Sequence, residues 1–361
     1  MERSVAFRER VEKIESLVNK LEIEGIIFLN LTNIRYLTGF SGSEGAFFAG
    51  KKISALFVDG RYTTQAKEEA PQVEVVSFTD KMADIAEYIS GKGMNRIGFE
   101  SSAITYDDYI VLRDRLFSST LIPLSRELKD IRAVKDKEEI AFLKKAADKA
   151  TKALARTFEV VKPGVSEKYI AAFLESSMLR EGSEKPSFET IVASGANAAL
   201  PHAHPGERIF KRGDLVVIDY GAVYRGYHSD ETVTIAVEDI SDEEKKIYNI
   251  VKEAHDRALD EVKADASCRD IDDIARSFIH DAGYGHYFSH GTGHGVGLDV
   301  HEEPAVSAKS QAVLKEGMVV TIEPGIYIPG VLGVRIESMV LVNARGCDIL
   351  TGTPKDLIIL K

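Results

Sequence analysis

The sequence contains no tryptophan and only two cysteines, Cys268 and Cys347. Two cysteines cannot build a disulfide framework. No apolar stretch reaches the roughly 18 residues that a transmembrane helix requires. The first residues, MERSVAFRERVEKIESL, are charged and lack the apolar core of a signal peptide. We therefore expect a cytoplasmic protein with no membrane partner.

Positive charge is also in deficit. The chain has 46 lysines and arginines against 57 acidic residues, which gives a net charge of -11. Because phosphate backbones bind to basic surfaces, this balance argues against nucleic acid as a partner. With 361 residues the chain is long enough for two domains.

Strands and helices alternate through residues 1–125, which predicts an α/β amino-terminal domain. The polar, charged segment RELKDIRAVK at 126–135 is typical of a linker. Residues 136–361 contain helices in pairs and strands in hairpins. This pattern predicts an α+β domain with a curved antiparallel sheet.

Two predicted hairpins bring acidic residues together. In LVVIDYGAVYRGYHSDETVTIAV, the apolar first strand ends at Asp219 and the returning strand begins at Asp230. A turn centred between Tyr224 and Arg225 would place these two acids opposite each other, about 4.5–5.5 Å apart at Cβ.

The second hairpin, MVVTIEPGIYIPGVLGVRIESMVLV, repeats the arrangement around a turn at Pro329-Gly330. Glu323 and Glu337 are each seven residues from Gly330 and should face each other. Arg335 is two residues from Glu337 and should share its face of the strand.

These four acids could be exposed on strand faces, but each interrupts an apolar strand, where a solvated carboxylate is rare. Four converging buried carboxylates need compensating charge, and divalent metal ions supply it most simply. Oxygen ligands with one imidazole favour Mn²⁺, Co²⁺ or Zn²⁺.

The segment HYFSHGTGHGVGLDVH, from His286 to His301, offers the imidazole. His290 and His294 have an HxxxH spacing that could bind one zinc ion if the segment were helical. Its alternating glycines disfavour a helix and favour a glycine-rich turn and strand, with one histidine as a metal ligand and others acting on substrate.

The loop ALPHAHPGER could bring His202 to the same cleft. The remaining histidines are interpreted as structural or surface residues: His204, His228, His255, His280 and His286.

The motifs DYG, GTGHGVGLDVHEEP, TIEPGIY and VRIES closely resemble the catalytic domain of the Xaa-Pro peptidases. This group comprises prolidase and aminopeptidase P and belongs to the pita-bread metallopeptidases. IRAVKDKEEI resembles the start of that domain, and YLTGFSGSEGAF and VDGRYTTQA resemble the amino-terminal domain of the same enzymes. The resemblance covers nearly the whole chain.

The resemblance implies a site with two divalent metal ions. Asp230 and Glu337 would bridge both ions, Asp219 would complete one, and His294 with Glu323 would complete the other. A water activated by both ions would attack the peptide bond. Glu323 would take the proton of this water and pass it to the leaving proline nitrogen.

The resemblance also assigns substrate contacts. His301 would stabilise the developing oxyanion. His202 and His290 would line the proline side of the pocket, and Tyr327 and Arg335 would contact substrate or support the ligands. The substrate would be a peptide with proline at its second position, and the protein a homodimer.

Several alternatives stay open. Aminopeptidase P, which removes the first residue of longer peptides, is favoured over prolidase, which cleaves only Xaa-Pro dipeptides. The motifs do not separate the two. A metal-free hydrolase like creatinase and an inactive binding module are disfavoured because relatives of those kinds lose metal-binding acids.

Overall fold

The structure is a computed structural model that describes residues 2–361, with side chains described from residue 9 onward. The chain divides into two compact units, and the division falls between Ile131 and Arg132. It lies within the segment 126–135 that was expected to be a linker. The finer domain boundaries at 125 and 136 stay a prediction. Within residues 2–361, no helix combines the length and apolar character of a bilayer span.

The first unit is a mixed sheet with helices, as predicted for an α/β domain. Its strands are β1 (Gly25–Phe28), β2 (Ala46–Gly50), β3 (Ile53–Asp59), β4 (Glu74–Phe78), β5 (Arg96–Glu100) and β6 (Thr120–Leu124). Its helices are α1 (Glu2–Lys20), α2 (Leu31–Thr38), α3 (Thr63–Glu69), α4 (Lys81–Ser90), α5 (Tyr106–Arg115) and α6 (Arg126–Lys129). The strand order is β4-β3-β2-β1-β5-β6. β1 is buried along its whole length, as expected for a central strand with one parallel neighbour.

The helices of the second unit come in two packed pairs. They are α7 (Lys137–Thr157), α8 (Glu167–Arg180), α9 (Asp242–Asp260) and α10 (Cys268–Asp281). Each helix begins after an aspartate or serine whose side chain accepts a backbone N–H of the first turn. In α7 and α9 a glutamate in the first turn completes a capping box.

Two sheets of the second unit pack against these helix pairs. The first has the order β19-β11-β8-β7 and the second has the order β13-β12-β14-β17-β18. The strands of this unit are β7 (Ile191–Ser194), β8 (Leu215–Tyr220), β9 (Val223–Tyr224), β10 (Tyr227–His228), β11 (Glu231–Val237), β12 (Gly293–Gly295), β13 (Glu302–Val306), β14 (Val319–Ile322), β15 (Gly325–Ile328), β16 (Leu332–Arg335), β17 (Ser338–Val342), β18 (Cys347–Ile349) and β19 (Ile358–Leu360). β9 pairs with β10, and β15 pairs with β16, as separate two-stranded sheets. The predicted α+β architecture is therefore confirmed.

Alternation along β8 separates the core from the site. Val216 and Ile218 pack into the apolar core that α7 and α8 form with the first sheet. Val217 and Asp219 point to the opposite face, because successive side chains of a strand alternate. The pattern leaves one face of β8 free to carry an acidic side chain.

The predicted register of the first hairpin is wrong by two residues. Asp219 pairs across the ladder with Thr232 and not with Asp230. The turn is centred between Arg225 and Gly226, one residue later than expected, and both residues have positive φ, of 54° and 82°. Positive φ at both central positions is what a two-residue type I′ hairpin turn requires. A shift of two residues keeps both aspartates on the same face.

The predicted register of the second hairpin is confirmed. Ile322 pairs with Ser338, and Gly325 pairs with Arg335. Both pairings are symmetric about Gly330, so Glu323 and Glu337 lie opposite each other. The ladder of backbone hydrogen bonds is interrupted at this position. The break ends β14 and starts β17 at these two acids.

Candidate metal centre

Three of the predicted ligands form a compact cluster. One carboxylate oxygen each of Asp230 and Glu337 and one ring nitrogen of His294 all lie within 4.8 Å of one another. The Nε2 atom of His294 lies 3.6 Å from Asp230 Oδ2 and 3.4 Å from Glu323 Oε1. Both acids of the cluster are buried, Asp230 at 5% exposure and Glu337 at 2%. Residues far apart in sequence thus converge with their ligand atoms facing one another.

Asp219 lines the same cavity as these ligands. One of its carboxylate oxygens accepts a hydrogen bond, and the other has no hydrogen-bond partner among the described residues. Its Oδ2 accepts a hydrogen bond from Arg335 Nη2 at 2.6 Å. Its Oδ1 is buried and accepts no hydrogen bond from the described residues. A buried acceptor without a partner is rare because it loses its hydration without compensation. A bound cation would supply the partner that this oxygen lacks.

The acids also lack sufficient compensating charge. Burial, together with Glu337, Asp219 and Glu323, raises the pKa of Asp230 well above its usual range. Burial and neighbouring carboxylates do the same to the pKa of Glu337, and burial raises the pKa of Glu323. Carboxylates crowded in this way cannot all ionise unless positive charge is added. The donor set therefore fits oxygen-preferring divalent cations that also accept one imidazole.

The tautomer of His294 is suited to metal binding. Its Nδ1 is 3.0 Å from the carbonyl oxygen of Gly295, so Nδ1–H donates there and Nε2 keeps its lone pair facing the acids. Burial lowers the pKa of His294, which keeps the ring neutral. Backbone contact on one nitrogen and a free lone pair on the other is the usual arrangement of a ligating histidine.

Glu337 and Arg335 are held by one threonine. Thr232, the ladder partner of Asp219, donates from Oγ1 to Glu337 Oε2 at 2.8 Å. Thr232 Oγ1 in turn accepts a hydrogen bond from Arg335 Nε at 3.1 Å. The register that the sequence did not predict therefore places a hydroxyl between the two hairpins.

A hydrogen-bonded relay connects Arg335, Tyr327 and His290. Arg335 Nη1 donates to the Tyr327 hydroxyl at 2.8 Å, and that hydroxyl lies 2.9 Å from His290 Nε2. His290 Nδ1 is 2.8 Å from the carbonyl oxygen of Gly291, so Nδ1–H donates there and Nε2 accepts from Tyr327. Burial lowers the pKa of His290 and raises the pKa of Tyr327 to about 12. Both groups are therefore neutral near pH 7.

His301 and His202 complete the predicted set. The ring of His301 packs edge-on against His294 with centroids 4.4 Å apart. Burial and the neighbouring His294 ring lower the pKa of His301. His202 also lines the cavity and is exposed. Both imidazoles are therefore positioned to contact a molecule bound in the cavity.

These side chains surround a cavity of about 440 Å³. Nine of the ten predicted site residues line it, and Tyr327 stands behind His290 and Arg335. The lining comprises Phe188, Glu189, Ile191, Pro201, His202, Ala203, His204, Asp219, Asp230, His290, Gly291, Gly293, His294, Val300, His301, Glu323, Arg335 and Glu337. The volume suits a small ligand rather than a folded partner.

Some lining residues were missed by the sequence analysis. Phe188, Glu189 and Ile191 come from the segment that enters β7, where no motif marks them. His204 was interpreted as structural or surface. It is 79% exposed but lines the cavity mouth, with Nδ1 3.0 Å from Glu189 Oε1. The HxH spacing of 202 and 204 was the available signal.

The glycine-rich turn and strand expected for this segment is confirmed, because residues 293–295 form strand β12 and not the helix that an HxxxH zinc site would need. The glycines let neighbouring backbone approach this strand closely. A Cβ on Gly293 would lie 1.9 Å from the Thr321 carbonyl oxygen, and one on Gly295 would lie 2.3 Å from that of Glu303. These glycines therefore allow the flanking strands β13 and β14 to lie close to β12. His286 is exposed and lies outside the cavity lining.

Comparison with known proteins agrees with this geometry. Residues 141–344 match the profile of metallopeptidase family M24, and residues 10–134 match the creatinase/prolidase N-terminal domain. The Xaa-Pro dipeptidase of Pyrococcus horikoshii is 40% identical over 97% of this chain and 99% of its own. The structure of an Xaa-Pro dipeptidase from Bacillus anthracis matches with a TM-score of 0.95 and 40% identity, covering 98% of this chain and 100% of the other. An X-Pro aminopeptidase structure from Thermotoga maritima matches with a TM-score of 0.89 and 35% identity, covering 97% and 99%. The chain belongs to metallopeptidase family M24.

Proposed function

We propose that this protein is a divalent-metal-dependent exopeptidase that hydrolyses the Xaa-Pro bond at the amino terminus of peptides. The observation that carries the proposal is the convergence of four carboxylates and one imidazole on a small cavity, with Asp219 Oδ1 buried and unpartnered. Similarity to Xaa-Pro dipeptidases and an X-Pro aminopeptidase over nearly the whole chain supports the bond specificity.

Asp219, Asp230, His294, Glu323 and Glu337 would hold two ions of Mn²⁺, Co²⁺ or Zn²⁺. Four carboxylates offer a charge that two dications balance. When bound, the ions would polarise the scissile carbonyl and lower the pKa of water.

The protein side chains would supply the proton transfers and the orientation. Glu323 would accept a proton from the attacking water and deliver it to the proline nitrogen, which is a tertiary amide in the substrate and must be protonated to leave. His301 would donate a hydrogen bond to the carbonyl oxygen as it gains negative charge. His202 and His290 would contact the proline side of the substrate.

The relay behind the cavity would keep these groups in place. Arg335 pairs with Asp219 and donates to Tyr327, which in turn donates to His290. The hydroxyl of Tyr327 thus fixes the orientation of the His290 ring. Arg335 also fixes Asp219 Oδ2, so that Oδ1 is the oxygen that remains for a metal.

We favour an aminopeptidase acting on longer peptides. Among the described residues that line the cavity, Arg335 is the only arginine or lysine, and it is already paired with Asp219. The free carboxylate of a dipeptide would therefore meet no uncommitted guanidinium or ammonium group there. The second candidate is a prolidase restricted to dipeptides, which the names of the relatives at 40% identity favour. The homodimer and the cytoplasmic location stay predictions.

Metal replacement combined with a peptide-length series tests the proposal. Protein stripped with EDTA should be inactive and should regain hydrolysis of Xaa-Pro-Yaa with Mn²⁺, Co²⁺ or Zn²⁺, while Xaa-Ala-Yaa should not be cleaved. E323Q should abolish turnover, and E316Q, at an exposed position of the same unit, should not.

The other outcomes identify the alternatives. Cleavage of Xaa-Pro dipeptides alone would select prolidase. Full activity in EDTA would indicate a metal-free hydrolase, and metal binding without turnover of any Xaa-Pro peptide would indicate an inactive binding module.

A further inference from the structure

A charged pair on helix α10 reaches the candidate site without lining it. Asp272 is fully buried, and Arg276 lies one turn further along the helix. Arg276 Nε donates to Asp272 Oδ2 at 2.8 Å, and Nη2 donates to Oδ1 at 2.9 Å. A buried ion pair is a poor source of stability compared with apolar packing. Its other contacts indicate what it does.

Both side chains grip the segment 288–292, which belongs to no helix or strand. Arg276 Nη1 donates to the Phe288 carbonyl at 3.2 Å, and Nη2 donates to the His290 carbonyl at 2.7 Å. Asp272 Oδ1 accepts from the Thr292 N–H at 3.0 Å and from its hydroxyl at 2.8 Å. Two helix side chains thus hold Phe288, His290 and Thr292 by hydrogen bonds, in a segment that has no strand pairing of its own.

The segment passes this constraint to the site through short contacts. The Arg276 guanidinium lies 4.4 Å from the Phe288 ring centroid, and that ring packs edge-on against His290 at 5.1 Å. On the other side, the Thr292 carbonyl accepts the Glu323 N–H at 2.7 Å. The same clamp therefore borders both the His290 imidazole and the backbone of Glu323.

We propose that Asp272 and Arg276 are positioning residues that set the orientation of His290 in the cavity. This inference rests on the proposed function insofar as His290 is taken to contact substrate. Arginine suits the task because its rigid planar fork makes four hydrogen bonds here, to the carboxylate and two carbonyls, whereas a lysine ammonium has three donors on a compact head. Neither residue contacts the substrate, and both act through the 288–292 segment.

The test compares R276K with the control R257Q. In the wild type, Arg257 makes the same type of i,i+4 pair with Glu253 on α9 and packs over Phe278. R276K keeps a charge beside Asp272 but loses the fork. It should lower kcat/KM for Xaa-Pro-Yaa by roughly 10- to 100-fold, since small misplacements near the chemistry have effects of this size. R257Q should stay within twofold of wild type. Mn²⁺ affinity, measured by calorimetry, should be the same in all three proteins.

A double-mutant cycle with H290A separates positioning from a general structural role. If Arg276 acts through His290, R276K should change kcat/KM less than twofold in the H290A background. A full additional loss in that background, or an unchanged kcat/KM in R276K alone, would overturn the inference. If R276K does not fold, T292V loosens the clamp from the segment side, and the same cycle applies with the same outcomes.

A spectroscopic readout keeps the inference separate from the proposed function. The imidazole ¹⁵N resonances of His290, assigned with H290A, should shift in R276K and stay unchanged in R257Q, whether or not any peptide is cleaved. A wild-type protein that binds Mn²⁺ but cleaves no Xaa-Pro peptide would refute the proposed function alone. Unshifted His290 resonances in R276K would refute the positioning role.

Discussion

The acid cluster should make the metal-free protein less stable than a variant that lacks one of its charges. Asp230 is buried among Glu337, Asp219 and Glu323, and all three raise its pKa. The substitution D230N preserves the shape of the side chain and removes its charge. We therefore expect D230N to be more stable than wild type in EDTA, although it removes a proposed metal ligand.

The magnitude follows from Coulomb's law. The ligand oxygens of Asp230 and Glu337 are within 4.8 Å of each other. Two full charges at that distance repel by about 3–4 kcal/mol at an effective dielectric constant near 20. Because both pKa values are raised, the pair is only partly ionised near neutral pH. We therefore expect D230N to have a free energy of unfolding about 1–2 kcal/mol higher than that of wild type at pH 8. For a unit of this size, that difference raises Tm by roughly 2–8 °C.

Thermal denaturation by circular dichroism, in EDTA and in excess Mn²⁺, would measure the effect. The order of stability should reverse, because wild type gains about 3 kcal/mol from metal at a hundredfold excess over Kd, whereas D230N should gain far less. The control D273N, at an exposed position of α10, should change neither value. A lower Tm for D230N in EDTA would refute the claim that repulsion destabilises the cluster.

Three further predictions concern the surroundings of the site. Burial lowers the pKa of His255, so the unfolded chain takes up a proton near pH 6.5 while the folded protein resists it, and stability is lost as pH falls below that value; H255Q should flatten the decline of Tm between about pH 6.5 and 5, and an unchanged slope would contradict this. E231Q removes the carboxylate charge that pairs with Lys355 at 2.6 Å. It should lower the free energy of unfolding, measured in urea, by about 3–5 kcal/mol, and an unchanged value would show that the ion pair does not stabilise the fold. Y327F removes the hydroxyl that orients His290 and should lower kcat/KM roughly tenfold without changing Mn²⁺ affinity; full activity would argue against the relay.

The sequence predicted the acids of the site well because hairpin partners are close along the chain. Glu323 and Glu337 could be matched by counting from Gly330, and the ladder has that register. The strand pairing of Asp219 and Asp230 could not be predicted in the same way, because Arg225 adopts a positive φ that its residue type does not predict. The error was one residue in the turn, and the shared face survived it.

Contacts between distant segments were beyond prediction. Nothing in the sequence links Asp272 with Thr292, or Thr232 with Glu337, since such pairs depend on how α10 and the two sheets pack. The wall formed by Phe188 and Glu189 has the same origin. Apolar periodicity and hairpin symmetry give local geometry, whereas packing determines which side chains surround it.

The strand order β19-β11-β8-β7 in the second unit has a consequence during synthesis on the ribosome. The strand β11, which follows Asp230 and is buried along its whole length, has β8 on one side and β19 on the other. Residues 358–360 of β19 are made about 120 residues after β11, which at 5–20 residues per second corresponds to roughly 6–24 s. For that interval β11 presents an unpaired, apolar edge, the kind of surface that recruits other strands. The nascent chain should therefore depend on chaperones most strongly between the emergence of β11 and that of β19.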